Sequence, residues 1–295
     1  MQDVILQMEA YPASIIVFAG VLGLMVGSFL NVVIHRLPIM MQKDWQSECR
    51  ILLSDELKSP PKEDEIAPRY NLVVPRSACP NCNHQITALE NIPVISWLML
   101  KGKCSECATP ISARYPGVEL LTGLMSIAVA FVVPFGWPLM LALTLTWFLV
   151  VMTFIDFDTM LLPDQLTLPL LWLGLLANCF GTFTDLQSAV LGAAAGYLSL
   201  WSIYWAFKLL TGKEGMGYGD FKLLAALGAW FGWVSLPVII LLSSFVGAVA
   251  GIALMVLAKN GRGQQIPFGP YLAGAGWLYL VYGQELIELY FSVIL

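Results

Sequence analysis

The stretch PASIIVFAGVLGLMVGSFLNVVI, residues 12–34, contains no charged side chain. A helix rises about 1.5 Å per residue and the hydrocarbon core of a bilayer is about 30 Å thick, so about 20 apolar residues are needed to cross it. We therefore expect this stretch to form a transmembrane helix. The segment before it carries Asp3 and Glu9 but no Lys or Arg. Because it lacks the basic start of a cleavable signal peptide, we expect the first apolar run to remain as a span.

The rest of the chain has the composition of a membrane protein. Of its 295 residues, 58% are hydrophobic and 12% are charged, and the mean hydropathy is +0.75. Such a chain has too few polar side chains to cover a soluble globule. The formal net charge of -5 also argues against a nucleic-acid-binding protein, because binding phosphates requires clustered Lys and Arg.

The apolar runs predict an all-α polytopic membrane protein with about eight transmembrane helices. The run at 221–236 is short and ends at Pro237, so it is compatible with either a tilted span or a re-entrant segment. The eight runs lie near residues 12–34, 117–134, 138–155, 165–181, 188–208, 221–236, 238–258 and 268–290.

One large polar segment, residues 35–116, follows the first helix and holds ten of the fifteen Lys and Arg residues. The positive-inside rule places such a segment in the cytoplasm. With eight spans, the Lys and Arg residues of the later loops also fall inside, and both termini fall on the periplasmic side. The chain thus divides into a first transmembrane helix (1–34), a cytoplasmic loop (35–116) and a transmembrane core (117–295).

The two parts of this loop differ in character. Residues 42–68 are rich in charge and proline and predict a flexible insert. Residues 76–116 contain two CxxC pairs separated by 21 residues, which is typical of a structural zinc site with four thiolate ligands and no open position for water. Disulfides, a redox pair and free thiols are the alternatives, of which the reducing cytoplasm disfavours disulfides. The four predicted ligands are Cys79, Cys82, Cys104 and Cys107, and the remaining cysteines, Cys49 and Cys179, are expected to be inert.

Acidic residues lie beside the apolar runs in two places. FIDFDTMLLPD, residues 154–164, contains three aspartates, and GMGYGDFKLL, residues 215–224, contains Asp220. Charged groups cost several kcal/mol inside a bilayer, so such acids are functional candidates. Two carboxylates in one site do not both ionise easily. One can then take a proton from water while the other hydrogen-bonds a peptide carbonyl, which is the chemistry of an aspartic peptidase.

Each aspartate also has a structural interpretation. Asp156 and Asp158 lie about 200° apart on a helix, so both cannot face one centre, and the spacing does not choose between them. Asp164 follows Pro163 and is a plausible N-cap of the next helix. Asp220 is able to cap its own helix or to pair with Lys222.

Other function classes have less support from the residues. The chain has two histidines, His35 and His84, and no HExxH or GxSxG motif, which argues against a zinc protease and a serine hydrolase. A proton-coupled transporter that uses the edge aspartates remains the main alternative. A non-enzymatic assembly platform is the second.

Five motifs in order together resemble the type IV prepilin peptidases. Two are the aspartate stretches, with the second extended to GMGYGDFKLLAALGAW at residues 215–230. The other three are GSFLNVVI (27–34) with Arg36, RSACPNCNHQITALENIPVISW (76–97) and LKGKCSECATPISARYPGVELLTG (100–123).

The resemblance implies a bacterial inner-membrane aspartic endopeptidase. It would remove the basic leader of type IV prepilins and type II secretion pseudopilins after a glycine. Asp156 and Asp220 match the family's catalytic pair, the second within a GxGD motif. The resemblance also implies N-methylation of the new amino terminus with S-adenosylmethionine, without indicating which residues bind that cofactor. Supporting roles fall to Asp158, Asp164, Gly217, Gly219 and Lys222.

Overall fold

The computed structural model describes residues 12–53, 70–257 and 266–294, and within these ranges helices dominate and no β-strand occurs. The chain divides into two compact units, Gly20–Leu124 and Met1–Ala19 with Met125–Leu295. The helices are α1 (Pro12–Leu53), α2 (Ile95–Met99), α3 (Arg114–Val132), α4 (Trp137–Thr159), α5 (Asp164–Asn178), α6 (Leu186–Thr211), α7 (Tyr218–Phe231), α8 (Leu236–Leu257) and α9 (Gly269–Ile294).

Helices occupy all eight predicted apolar runs, so the all-α prediction is confirmed. Among the residues that the structure describes, five helical segments are long and apolar enough to cross a membrane. Helices α5 and α7 have 15 and 14 residues, fewer than the roughly 20 that a perpendicular span needs. The five candidate spans are Ala13–Leu53, Arg114–Val132, Trp137–Thr159, Leu186–Thr211 and Trp233–Ala253.

Helix α1 extends well beyond the predicted end of the first span. The prediction of a flexible insert is wrong for residues 42–53, which are helical; residues 54–68 lie outside the described part of the chain. Residues 35–53, which form this extension, contain three Leu, two Met and two Gln, all of high helix propensity. The returning chain also packs on it, since Arg36 Nη1 donates to the Asn71 carbonyl at 2.9 Å and Lys43 Nζ lies 4.1 Å from the centre of the Tyr70 ring.

Within the unit Gly20–Leu124, α1 and α3 pack closely. A Cβ atom at Gly27 would lie 2.8 Å from the Glu119 Cα atom, so the side chain at this position has to be absent. Asn31 Nδ2 donates to the Tyr115 carbonyl at 3.0 Å. These contacts join α1 to the first turns of α3, directly after the cysteine-containing segment.

In the other unit, the short helix α7 lies at the centre. It is buried from Asp220 to Trp230 except for Lys222 and packs against α5, α6, α8 and α9. The backbones of Gly192 in α6 and Gly228 in α7 are in direct contact, with no room for a side chain on either. Helix α7 therefore fixes the positions of the helices around it.

Asn178 closes the far end of this bundle. Its buried Nδ2 donates to the carbonyls of Ala229 and Trp230 at 2.8 and 2.9 Å. Its Oδ1 accepts from the backbone N–H groups of Phe183 and Thr184 at 3.0 and 3.1 Å. One side chain thus joins the end of α5, the α5–α6 connection and the end of α7.

Candidate active site and metal centre

Asp156 and Asp220 come from different helices and are both buried, with 5% and 7% of their surface exposed. Asp156 lies in the last turn of α4, which ends when Met160 adopts the left-handed conformation at φ 56°. Asp220 lies in the first turn of α7. The two carboxylates are close enough for the charge of Asp156 to act on Asp220. The structure therefore brings the two predicted catalytic residues together.

Helix α9 completes the surroundings of this pair. A Cβ at Gly269, the first residue of α9, would lie 2.5 Å from Asp156 Oδ2 and 3.0 Å from Leu162 Cδ1. A Cβ at Gly219 would lie 2.6 Å from Leu162 Cβ. Leu162 thus packs against both glycines, and α4, α7 and α9 meet around the two carboxylates.

The Asp156 carboxyl group accepts a hydrogen bond from the Gly269 backbone, but one of its two oxygens is left without a well-placed donor in the described part of the chain. Asp156 Oδ2 is buried and, among the residues that the structure describes, nothing donates to it. A buried oxygen without a donor carries a desolvation cost unless a water or a ligand satisfies it. It is therefore the atom of this site best placed to receive a proton or a hydrogen bond from outside the protein.

The neighbouring aspartates occupy different environments. Asp158 is exposed while Asp156 is buried, as expected for two positions about 200° apart on a helix. Asp164 is not the N-cap of α5: Pro163 holds that position, and no side chain caps the helix. Asp164 instead accepts from Lys222 Nζ at 2.5 Å, which joins the start of α5 to the start of α7.

Of the two alternatives for Asp220, the ion pair is not formed, because Lys222 pairs with Asp164. The N-cap of α7 is Gly217, in an extended conformation with φ -83° and ψ 151°. Its backbone N–H donates to the Asp220 carboxyl group, so Asp220 also helps to cap its own helix. The close approach is at Gly219, where a Cβ would overlap Leu162, whereas a Cβ at Gly217 would make only ordinary contacts at 3.8 Å or more.

The predicted metal ligands form a compact cluster. Their sulfur atoms all lie within 4.8 Å of one another, with Cys79 Sγ 3.7 Å from Cys107 Sγ and Cys82 Sγ 3.9 Å from Cys104 Sγ. Tetrahedral zinc with Zn–S distances of about 2.3 Å requires sulfurs about 3.8 Å apart. The geometry therefore fits a four-thiolate zinc ion, whereas the exposed Cys49 and Cys179 lie outside the cluster.

The two CxxC turns have the same backbone arrangement. Cys79 N–H donates to the His84 carbonyl and Cys104 N–H to the Thr109 carbonyl, each at 2.9 Å. In each turn the residue after the second cysteine is left-handed, Asn83 at φ 59° and Ala108 at φ 57°. Each turn thus presents two sulfurs to one centre.

The sulfur of Cys107 is prepared for metal binding. The Thr109 hydroxyl lies 3.2 Å from Cys107 Sγ, and this contact, helped by the Thr109 backbone amide and Asn81, lowers the pKa of the Cys107 thiol to about 5. Zinc binds the thiolate form, so this environment reduces the proton competition that the metal has to overcome.

Glu90 connects the two turns and was not identified from the sequence. Its carboxylate accepts from the Thr87 N–H and hydroxyl, each at 2.8 Å, and from the Ser105 hydroxyl, and it lies 3.2 Å from His84 Nε2. These hydrogen bonds, with that of Ser105 the strongest, lower the pKa of Glu90 to about 2. No sequence pattern distinguishes this glutamate from the other acids of the loop.

Glu119 was also missed, although a signal was available. It is 9% exposed, and its Oε2 accepts from the Val94 N–H at 2.8 Å. It lies inside the predicted span 117–134, where the cost of burying a charge singles out any acid. The rule that identified the aspartates therefore applied to this residue as well.

Two protein families match consecutive parts of the chain. The family described as "Bacterial Peptidase A24 N-terminal domain" matches residues 21–133, and the "Type IV leader peptidase family" matches residues 143–252. No solved structure is significantly similar to the chain.

Three curated relatives, each named prepilin leader peptidase/N-methyltransferase, match nearly the whole chain. The protein of Aeromonas salmonicida is 63% identical over 92% of both chains. That of Stutzerimonas stutzeri is 58% identical over 95% of this chain and 94% of its own. That of Pseudomonas aeruginosa is 54% identical over 96% of both. With this identity and coverage, the chain belongs to the type IV leader peptidase family.

Proposed function

We propose that this protein is a prepilin leader peptidase and N-methyltransferase, with Asp156 and Asp220 as its peptidase pair. The observation that carries the peptidase proposal is the meeting of two buried carboxylates from separate helices in one site. The names of its relatives provide the substrate class: the leaders of type IV prepilins and, by the resemblance, of type II secretion pseudopilins.

The proposed cleavage uses the two aspartates in complementary states. One ionised carboxylate takes a proton from water as the water oxygen attacks the scissile carbonyl carbon. The protonated partner donates a hydrogen bond to the carbonyl oxygen as negative charge develops there. The peptide C–N bond then breaks, and the departing amine takes up the proton that the first carboxylate removed from water. The buried Asp156 Oδ2 is available to hold the attacking water.

Leader removal from a purified prepilin tests this assignment. We expect Asp156→Asn and Asp220→Asn each to abolish cleavage, and Asp158→Asn to retain it, since Asp158 is exposed. All three changes replace a carboxyl group with an amide of the same shape, so Asp158→Asn is the matched control. Cleavage by either of the first two variants would reject the pair.

The second proposed activity transfers a methyl group from S-adenosylmethionine to the amino terminus that cleavage exposes. The cleft of about 640 Å³ near the α3–α4 connection does not fit this cofactor, because its lining side chains, such as Ile16, Phe131 and Phe135, are apolar. The segment around the cysteines is the better candidate for this activity or for holding the substrate amino terminus.

A substrate that has already been cleaved separates the two activities. We expect labelled methyl transfer from S-adenosylmethionine to such a substrate to survive both Asp156→Asn and Asp220→Asn. If methyl transfer and cleavage were lost together, the two reactions would have to share the aspartate site.

Zinc is proposed as a structural ion held by Cys79, Cys82, Cys104 and Cys107. When bound, it would cross-link the two CxxC turns and, with four protein ligands, leave no position for water. Glu90 holds the same two turns together through hydrogen bonds. Zinc and the Glu90 carboxylate would therefore both stabilise the contact between the two CxxC turns.

We place the protein in the bacterial inner membrane, with the cysteine segment in the cytoplasm and both termini in the periplasm. The concentration of Lys and Arg in residues 35–116 supports this orientation. A prepilin anchored by its apolar helix would then present its scissile bond near the cytoplasmic interface. The proton-coupled transporter and the assembly platform have no support from the relatives, all of which have the names of enzymes.

A further inference from the structure

The cysteine-containing segment has an unusual concentration of exposed apolar side chains around α2. All of them lie within residues 89–99, beside a charged loop in which polar residues would be expected on the surface. We call this set the 89–99 face. Its members and their exposed fractions are Leu89 77%, Ile92 39%, Ile95 55%, Leu98 61% and Met99 77%.

The exposed side chains of α2 all point the same way, because the other side of this helix packs against the rest of the segment. Residues 95, 98 and 99 are three or four positions apart and share one side of the helix. Trp97 lies on the other side, where its Nε1 donates to the Ile111 carbonyl at 3.1 Å and its ring packs on Gly102. The exposed side chains therefore point away from the body of the segment.

Two hydrogen bonds join this segment to helices that are candidate membrane spans. The Val94 N–H donates to Glu119 Oε2 in α3 at 2.8 Å, and the Ser28 hydroxyl in α1 donates to Asn91 Oδ1 at 3.4 Å. At about 1.5 Å per residue, Glu119 lies about 8 Å beyond Arg114, and Ser28 about 12 Å before Arg36. The headgroup zone on each side of a bilayer is about 5–8 Å thick. Asn91 and Val94 therefore lie as deep as the headgroup zone or deeper.

The backbone at this contact is held in a rare conformation. Val94 has φ 61° and ψ -47°, which a β-branched residue seldom adopts. The buried Glu119 carboxylate satisfies its N–H group in this conformation. The segment is thus tied to α3 at its turn, which keeps the depth of the 89–99 face defined.

We propose that the 89–99 face is a membrane-inserted surface that lies in the lipid of the leaflet on the cysteine side. Its occupant is the lipid acyl and glycerol region, because the spans to which it is hydrogen-bonded set its depth. Lys101 and Lys103 follow directly and are exposed, as expected for side chains that reach anionic headgroups. The segment is therefore a peripheral membrane element rather than a wholly aqueous loop.

Photo-crosslinking in proteoliposomes tests this proposal. A benzophenone amino acid is introduced at Leu98 or Met99 of the full-length protein in phosphatidylethanolamine and phosphatidylglycerol vesicles, and lipid adducts are counted by mass spectrometry. Met25 in α1, 62% exposed, is the lipid-facing control. Glu106, inside the second CxxC turn with 66% of its side chain exposed, is the aqueous control. Bound zinc checks that each variant is folded.

We expect lipid adducts at Leu98 and Met99 in yields comparable to Met25 and several-fold above Glu106. Yields no higher than at Glu106, with Met25 still labelled, would overturn the proposal. The reaction is repeated with a prepilin in the vesicles. If Leu98 and Met99 then formed adducts with the prepilin and none with lipid in either condition, the face would be a substrate surface, and the proposal would also fail.

Discussion

Glu90 is the residue whose charge most directly organises the cysteine segment. Its carboxylate accepts hydrogen bonds from Ser105 in the second CxxC turn and from Thr87 shortly after the first. The resulting pKa of about 2 means that the folded protein favours the ionised form. A carboxyl group with a depressed pKa stabilises the fold above its unfolded pKa, near 4.5. That stabilisation is lost as the pH falls from there towards 2.

We therefore expect Glu90→Gln to unfold at a lower temperature than wild type at pH 7, with a difference that shrinks as the pH falls below about 4.5. The measurement is thermal unfolding in detergent between pH 7 and pH 3. Asp44→Asn is the control, since it removes an exposed carboxylate outside this segment. A difference that stayed constant over this range would contradict the role given to the ionised carboxylate.

Glu119 allows a similar test of a hydrogen bond inside a membrane helix. Glu119→Gln keeps an oxygen that accepts from the Val94 N–H, whereas Glu119→Leu leaves that N–H without a partner, which costs about 1–3 kcal/mol. We expect the Leu variant to unfold at a lower temperature and to be cut faster by protease near residue 94, and the Gln variant to stay near wild type. Equal damage in both variants would mean that the negative charge, and not the hydrogen bond, matters.

The sequence alone could not decide which of Asp156 and Asp158 faces the interior of the protein. Helical spacing showed that they face opposite sides, but not which side is the interior. That depends on the contacts of Asp156 with Gly269, more than a hundred residues away. The ion pair of Asp164 was not indicated by the sequence for a related reason: its partner, Lys222, comes from a different helix.

Among the helices, the contact between α6 and α7 is the most sensitive to side-chain size. Gly192 and Gly228 bring their backbones together, and a Cβ on either would overlap the carbonyl group of the other. Overpacking of this kind typically costs about 1–3 kcal/mol. Since α7 contributes Asp220, a shift of this helix also displaces the proposed catalytic pair.

We therefore expect Gly228→Ala to lower both the unfolding temperature and the rate of leader removal. Gly274→Ala in α9 is the control, because a Cβ there meets nothing within 4 Å. That substitution should be neutral or slightly stabilising, since Ala favours helices over Gly by up to about 1 kcal/mol. If the two variants behaved alike, close packing at Gly228 would not be important.

Hydrophobic runs predicted where helices occur more reliably than where they end. All eight predicted runs are helical, but α1 continues to Leu53. Membrane length set the predicted boundary, whereas the helix continues beyond it through residues with high helix propensity. The short α5 and α7 depart from the expected span length in the opposite direction. Helix α7 is buried among its neighbours, which an apolar run cannot show, whereas α5 keeps an exposed apolar side with Leu168, Trp172 and Leu176.

For the whole molecule, the cysteine cluster predicts a defined metal content. Purified protein should contain one zinc ion per chain by elemental analysis, and Cys79→Ser should lose it and unfold at a lower temperature. Cys49→Ser and Cys179→Ser make the same chemical change outside the cluster and should keep the metal. Zinc retained at the wild-type level in Cys79→Ser would contradict the assignment.

The four hydrogen bonds of Asn178 have a consequence for how the helices of its unit move. The bonds share one side chain, so they break together, and the ends of α5 and α7 open as a single cooperative unit. At the opposite ends, the proposed catalytic aspartates are surrounded by glycine contacts and one partly exposed ion pair. Local opening of the bundle should therefore occur mainly near the aspartates, while the end at Asn178 stays closed. We expect slow hydrogen exchange at the backbone amides of Phe183 and Thr184.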